Sequence, residues 1–285
     1  MSDASVERTP SSPGWGETVT MTMEDGIAWV SLNRPSKRNA INPGIVWEMN
    51  AVMDALEEDD DCKVMVVTGS GDSFSAGMDL KEYFRAYETA KPVARERLFR
   101  ANAAWQWRRM MAYPKPTIAM VNGWCFGGAF QFLVACDLAI AAEEATFGLS
   151  EINWGIIPAG VVTKAVVDTM SLRDAMYYVM TGETFDGKKA SEMRLVNEAV
   201  PLDRLKDRTR DLARVLMGKN PFVLRQAKTA VRQARELTWE QAADYLMAKS
   251  DQSDHRDPER GRKAGMSQFL DDKSYRPGLG AYRRD

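Results

Sequence analysis

Thr117-Ile118-Ala119-Met120-Val121-Asn122-Gly123, followed by Trp124-Cys125-Phe126-Gly127-Gly128-Ala129-Phe130, decides the architecture. The first stretch is an apolar run closed by Asn and Gly, the pattern of a strand covered on both faces. A glycine turn follows, and apolar residues then continue to Cys136, which predicts a buried helix over 127–136. Leu138-Ala139-Ile140-Ala141 is a further buried strand. Strand, turn, helix, strand is the order of an α/β protein with a parallel sheet.

The same grammar extends towards the N-terminus. Val64-Met65-Val66-Val67-Thr68-Gly69 predicts another doubly covered strand. Before it, Val46, Met49, Val52, Met53 and Leu56 recur at helical spacing, so a helix is expected from Pro43 to about Glu57. Gly26 to Leu32 reads as a strand bounded by Asp25-Gly26 and Asn33-Arg34-Pro35. Towards the C-terminus the pattern changes. Ser171 with Asp174 opens a helix ending near Gly182, Asn220-Pro221 places a cap before an N1 proline, and Thr238 with Gln241 forms a capping box. Asp257-Pro258 reads as one more cap with N1 proline, and no strand candidate follows Val200. The expected organisation is a tail over 1–16 rich in Ser, Pro and Gly, an α/β core over 17–200 that bears the site, and a helical region over 201–285 for packing or oligomerisation.

Composition bounds the function. With 45% hydrophobic and 27% charged residues in 285, the chain has the makeup of a folded globular protein rather than a disordered one. Lys+Arg 38 against Asp+Glu 40 gives a formal charge of −2 with both signs interspersed, so no basic stripe suits nucleic acid. No apolar run approaches the ~20 residues needed to span a bilayer, and the opening residues lack a secretion signal, so no membrane is expected and a cytoplasmic location is. Cys62, Cys125 and Cys136 have no metal-ligand spacing and are expected as reduced core thiols. The one histidine, His255, lies in a charged stretch and reads as a solvated flank. A Ser-His-Asp triad or a multi-histidine metal site is therefore not expected, and acid-base work falls to carboxylates.

Three segments could carry such work. Ser73-Phe74-Ser75-Ala76-Gly77-Met78-Asp79-Leu80 is a small-residue turn running into a helix that starts at Asp79, which leaves the Met78 N–H free. Asn122 to Phe130 repeats this plan and frees the Gly128 N–H. Facing each other, the two would form a two-donor oxyanion hole; singly, each reads first as a tight connection. In the third segment Glu151 is the only carboxylate between Ala145 and Asp168, among Phe147, Leu149, Ile152 and Trp154. Desolvation there would raise its pKa into the range of a general base, the alternative being a surface glutamate on a loop.

These pieces, with Asn33-Arg34-Pro35 and Asn39-Ala40, occur in the order of the crotonase (enoyl-CoA hydratase/isomerase) superfamily, and the chain resembles it over nearly its whole length after the tail. Residues 77–84, 121–128, 149–155, 236–241 and 269–274 look like those of the hydroxycinnamoyl-CoA hydratase-lyases. The resemblance implies a crotonase-like ββα spiral core, a C-terminal helical trimerisation region, and a homotrimer or dimer of trimers. It implies an acyl-CoA thioester as substrate, with no cofactor beyond the coenzyme A it carries. The thioester oxygen would sit between the Met78 and Gly128 N–H groups. Lys37, Ala76, Met78, Leu80 and Gly128 would hold coenzyme A, while Tyr83, Met247, Ser150 and Trp154 would meet the acyl group. Glu151 would hydrate a 4-hydroxycinnamoyl thioester such as feruloyl-CoA and then drive retro-aldol cleavage to a 4-hydroxybenzaldehyde, such as vanillin, and acetyl-CoA. A related hydratase or β-carbonyl-cleaving enzyme acting on another acyl group, and a non-catalytic acyl-CoA-binding trimer, are the alternatives.

Two positions depart from the hydratase-lyase pattern. Gln131 stands where hydratase-lyases carry serine and general hydratases a second glutamate; it cannot titrate but can orient a water. Met247 replaces a phenol-binding tyrosine, and Tyr245 is no substitute because two residues along a helix turn the side chain by about 200°.

Overall fold

The computed structural model describes residues 15–276, 278 and 280–284. Of the expected tail, residues 1–14 lie outside the described residues. Strands are β1 (Val19–Glu24), β2 (Ile27–Leu32), β3 (Val64–Gly69), β4 (Ser73–Ser75), β5 (Thr117–Val121), β6 (Trp124–Phe126), β7 (Leu138–Ala142), β8 (Thr146–Gly148), β9 (Thr184–Asp186) and β10 (Glu198–Val200). Helices are α1 (Pro43–Glu58), α2 (Arg85–Thr89), α3 (Pro92–Ala103), α4 (Arg109–Ala112), α5 (Ala129–Ala135) and α6 (Val162–Thr169). They continue with α7 (Leu172–Thr181), α8 (Gly187–Glu192), α9 (Leu202–Met217), α10 (Pro221–Ala234), α11 (Trp239–Arg256) and α12 (Gly261–Leu270).

The strands make two sheets, one ordered β1-β2-β3-β5-β7-β10 and the other β4-β6-β8-β9. Within the first, only β1 with β2 is antiparallel; β2, β3, β5, β7 and β10 run parallel. In the second, β4, β6 and β8 run parallel and β9 closes it antiparallel. From β3 to β8 the chain alternates between the sheets, giving each turn one strand in both, so the core is a spiral of ββα turns. β3 and β5 are buried at every position, as their unbroken apolar sequences require. Against this layer α1 buries Ile45, Val46, Met49, Val52, Met53 and Leu56, the predicted stripe. Its start is set by Asn42, whose side chain accepts the Ile45 N–H, and by Pro43 at the first position.

Where the expectations differ, local chemistry explains it. Trp124–Phe126 is a strand too short to show periodicity, and Gly127-Gly128 is a turn, so the predicted helix over 127–136 shortens to Ala129–Ala135. Asp257-Pro258 does not open a helix. The Asp257 carboxylate accepts N–H groups from Glu259 and Gly261 and the amide of Asn220, which folds a turn between α11 and α12. Thr238 and Gln241 form the reciprocal capping box at the start of α11.

The chain forms two compact units. One holds residues up to Tyr113 with Thr117–Asp211; the other holds Pro114–Pro116 with Leu212–Asp285, the division falling inside α9. The second unit, taken by itself, is helical around the buried Asn220–Asp257 contact. All three cysteines are buried and in no disulfide among the described residues, and His255 is exposed on α11. Among the described residues no helix is long and apolar enough to cross a membrane.

Candidate functional site

β4, β6 and β8 are neighbours in one parallel ladder, about 4.8 Å apart from strand to strand. The residues that follow them, remote in sequence, therefore leave the sheet side by side. After β4 comes Ala76-Gly77-Met78, after β6 comes Gly127-Gly128, and after β8 come Leu149 and a 3-10 turn over Ser150–Trp154.

Gly77 has a φ of +83°, and a Cβ there would stand 2.6 Å from the Phe126 carbonyl oxygen and 2.9 Å from the Gly128 nitrogen. Only glycine lets the first exit press so closely on the second. The Ile41 N–H donates to Gly77 O at 2.8 Å and the Asp79 N–H to Ile41 O at 2.9 Å. The groups flanking Met78 are thus spent on Ile41, and in extended backbone the Met78 N–H points the other way. Neither it nor the Gly128 N–H donates to a partner among the described residues. A Cβ built on Gly128 would lie 3.3 Å from the Met78 nitrogen, so two unpaired donors adjoin one another.

Glu151 comes to the same place from the third exit. It is buried on the 3-10 turn, and a Cβ on Gly127 would stand 2.8 Å from its Oε1. Gly127, at φ +48°, both makes the turn and leaves room for the carboxylate. Oε2 is buried without a hydrogen-bond partner. Burial pushes the Glu151 carboxyl above the ordinary range, against a smaller opposing pull from its own backbone N–H. A carboxyl so placed can exchange a proton with a group held on the two N–H donors.

The remaining expected residues lie on several elements. Gln131, buried, lies one turn into α5, its N–H on Gly128 O at 3.2 Å, and its amide is 3.5 Å from the place of a Cβ on Gly160. Ser150 is half-buried at the head of the 3-10 turn and Trp154 is exposed at its end. Tyr83 is buried on a π-helical turn over Leu80–Phe84, where its ring stacks on Tyr87. Burial, then the neighbouring Tyr87, pushes its hydroxyl up to about 12, with the Asn102 side chain pulling it back. Leu80 opens that turn and is exposed. Lys37 is exposed at the end of a short turn, and the next residue, Arg38, accepts the Ala76 N–H at 2.8 Å and lays its guanidinium 4.1 Å over Trp124. Met247 is exposed on α11 in the second unit. The first unit thus gathers Met78, Gly128 and Glu151 around one point, with Gln131 one helical turn beyond Gly128.

Other residues escaped the sequence reading. Arg34 donates to Asp79 Oδ2 at 3.0 Å, to Glu82 Oε1 at 2.8 Å and to Ala40 O at 2.5 Å. Asp79 in turn accepts the Lys81 and Glu82 N–H groups, capping the turn that follows Met78. Gln106, fully buried on a second π-helical turn over Ala104–Arg108, donates towards Met78 Sδ at 3.5 Å. Its signal in the sequence was a polar residue between Trp105 and Trp107, four after Asn102.

Known proteins resemble the chain over nearly its whole length. The chain is 58% identical over 271 residues to a hydroxycinnamoyl-CoA hydratase-lyase of Pseudomonas fluorescens, covering 95% of this chain and 98% of that one. It is 30% identical over 217 residues to a 2,3-dehydroadipyl-CoA hydratase of Escherichia coli, covering 76% and 82%. Among solved structures, an enoyl-CoA hydratase of Mycobacterium smegmatis superposes with a TM-score of 0.81 at 25% identity, covering 92% of this chain and 98% of that one. One from Geobacillus kaustophilus gives 0.80 at 26%, covering 92% and 96%. With the enoyl-CoA hydratase/isomerase family model matching residues 22–276, the chain belongs to that family and has its crotonase fold.

Proposed function

We propose that this chain is a lyase that hydrates a 4-hydroxycinnamoyl-CoA and cleaves the product to a 4-hydroxybenzaldehyde and acetyl-CoA. The observation that carries the reading is the Glu151 carboxyl beside the Gly127-Gly128 turn, next to two unpaired N–H donors, in a chain 58% identical to a hydroxycinnamoyl-CoA hydratase-lyase.

The thioester oxygen sits between the Met78 and Gly128 N–H groups, where negative charge develops in both half-reactions. Glu151 takes a proton from water, which adds to the β-carbon; the electron pair moves to the thioester oxygen as an enolate, and a proton delivered to the α-carbon completes hydration. Cleavage reverses the roles. Glu151 takes the β-hydroxyl proton, the bond between the α- and β-carbons breaks to give the aldehyde, and acetyl-CoA forms as an enolate on the same donors before protonation. Gln131 supplies a carboxamide that orients the water and the β-hydroxyl without titrating. Tyr83 hydrogen-bonds the ring 4-oxygen. With methionine rather than tyrosine at 247, Tyr83 carries the polar recognition of the ring, and Ser150 and Trp154 line its wall. Lys37 approaches the nucleotide phosphates, and the backbone at Ala76, Met78 and Leu80 receives the adenine end. The reaction needs no cofactor beyond the coenzyme A of the substrate, the protein works in the cytoplasm, and it assembles as a homotrimer.

Incubation of the purified protein with feruloyl-CoA and with 4-coumaroyl-CoA, followed by liquid chromatography and mass spectrometry, tests the reading. Aldehyde and acetyl-CoA in equal amounts are expected. A hydrated thioester without aldehyde would move the chain to the plain hydratases.

A further inference from the structure

From Ala76 to Asp79, every backbone N–H except that of Met78 has a partner among the described residues, and the segment opposite supplies most of them. The Ala76 N–H donates to Arg38 O at 2.8 Å, the Asp79 N–H to Ile41 O at 2.9 Å and the Gly77 N–H to Ser75 Oγ at 3.1 Å. Ser75 Oγ donates in turn to Asn39 O at 2.9 Å, and the Ile41 N–H donates to Gly77 O at 2.8 Å. Residues 38–41 are thus a template along which 75–79 are laid, with Ile41 bridged to Met78. A shift of the template carries the Met78 N–H with it.

The template is not a relaxed strand. Arg38 and Asn39 both lie in the left-handed region, at φ +48° and +55°, which residues other than glycine rarely enter in succession. Such backbone persists only where its surroundings hold it. Asn39, fully buried, accepts the Arg34 N–H and donates to Ser70 O and Ser73 O. The end nearer Met78 is held by Arg34. Its Nη1 donates both to Ala40 O at 2.5 Å and to Asp79 Oδ2 at 3.0 Å, while Nη2 reaches Glu82 Oε1 at 2.8 Å. The Arg34 and Asp79 side chains are each only 11% exposed, so water competes little for this contact. One guanidinium therefore ties the residue before Ile41 to the residue after Met78.

We propose that Arg34 is a positioning residue of the oxyanion hole, which fixes the direction of the Met78 N–H by tying Ala40 to Asp79. The guanidinium touches no reacting atom and acts only through the backbone it holds. Gly128 makes no hydrogen bond to residues 38–41 among the described residues, so one donor of the two depends directly on Arg34. A lysine in its place would keep the charge but lose the planar fork that reaches several acceptors at once. This inference rests on the assignment of the Met78 and Gly128 N–H groups to the thioester oxygen made above.

The carbonyl stretch of a bound thioester tests it, because hydrogen bonds to the carbonyl oxygen lower its frequency. 4-Coumaroyl-CoA, isotopically labelled at the thioester carbonyl, is bound to the full-length E151Q protein to hold back turnover. Its infrared difference spectrum is then compared with those on R34K/E151Q and D79N/E151Q. D79N keeps the shape of the carboxylate and removes the charge that Arg34 grips. On E151Q the stretch is expected below its frequency in water, and each double variant is expected to lose up to about half of that shift, the share of one donor in two. With Glu151 present, R34K is expected to lower kcat by about 10- to 100-fold while KM for 4-coumaroyl-CoA stays within about twofold. Circular dichroism melts certify each variant as folded, and two variants guard against one that is not. If the folded double variants keep the full shift, Arg34 does not position the donor and the oxyanion assignment stands. If E151Q itself leaves the carbonyl at its frequency in water, the assignment of the two donors is wrong and the inference falls with it.

Discussion

Glu151 concentrates the physics of the site in one side chain. Replacing it by Gln keeps the shape and removes the charge. Turnover of feruloyl-CoA by E151Q is expected to fall by about 10²- to 10⁴-fold, with affinity for a coenzyme A thioester nearly unchanged, as steady-state kinetics and calorimetry would report. The sign of the stability change is opposite. Because burial raises the folded-state pKa of Glu151 above its unfolded value, the protonated residue favours the fold at low pH, and that contribution is lost as pH rises through the folded pKa. At neutral pH, well above the unfolded value, the wild type has lost that contribution while E151Q carries no titrating carboxyl there, so E151Q should melt higher than wild type at pH 7 and converge with it in acid. The same raised pKa places the ascending limb of the kcat/KM profile above the ordinary carboxylate range. Gly127 is the complementary test. G127A puts a methyl 2.8 Å from Glu151 Oε1 at a φ of +48°, so it should cost about 1 to 2 kcal/mol of stability in urea unfolding and displace the carboxylate, lowering turnover more than thioester affinity.

At the scale of the element, the turn after Met78 depends on Asp79. Burial would raise its pKa, but the Glu82 N–H, Arg34 and the Lys81 N–H together hold it below the usual value. Its contribution is thus present above the unfolded pKa near 4 and lost as pH falls through the lowered folded value. D79A should destabilise the fold by about 1 to 3 kcal/mol, the loss of a cap together with one of the two carboxylates that pair with Arg34, and should flatten the acid limb of stability against pH. Thermal melts from pH 7 to pH 3 would show it. Elements of this kind mark how far sequence reading reaches. α1, β3, β5 and β7 were legible because burial on one face or both imposes a period of 3.6 or an unbroken apolar run over five residues or more. β4, β6 and β8 are three residues each, too short for any period, yet their order in one ladder is what brings Met78, Gly128 and Glu151 together. The free N–H groups were inferable from glycine turns, while their convergence came from the family resemblance. The role of Gln106 was harder to read because a π-helical turn has no sequence period of its own and this polar side chain sits between Trp105 and Trp107.

For the molecule as a whole, the helical unit poses the remaining problem. α10 and α11 bury no residue in the single chain. Val231 is 73% exposed, Met247 67% and Leu270 55%, with Leu246, Met266 and Phe269 exposed as well. Scattered exposed apolar residues are ordinary, but an amphipathic helix with no buried residue has an unmet apolar face, and its stability then has to come from packing against something else. A second copy of the chain is the partner that the proposed trimer supplies, and a trimer closes by repeating one contact around a threefold axis. Sedimentation equilibrium should therefore return three times the mass of one chain, or six for a dimer of trimers. A charge on the exposed face puts an unpaired ion into any apolar contact formed there. L246E is expected to weaken assembly, shifting the distribution towards monomer as the protein is diluted from micromolar to nanomolar concentration. A monomer at every concentration in the wild type would remove the oligomer from the reading, while the Glu151 site, built wholly within the first unit, would stand.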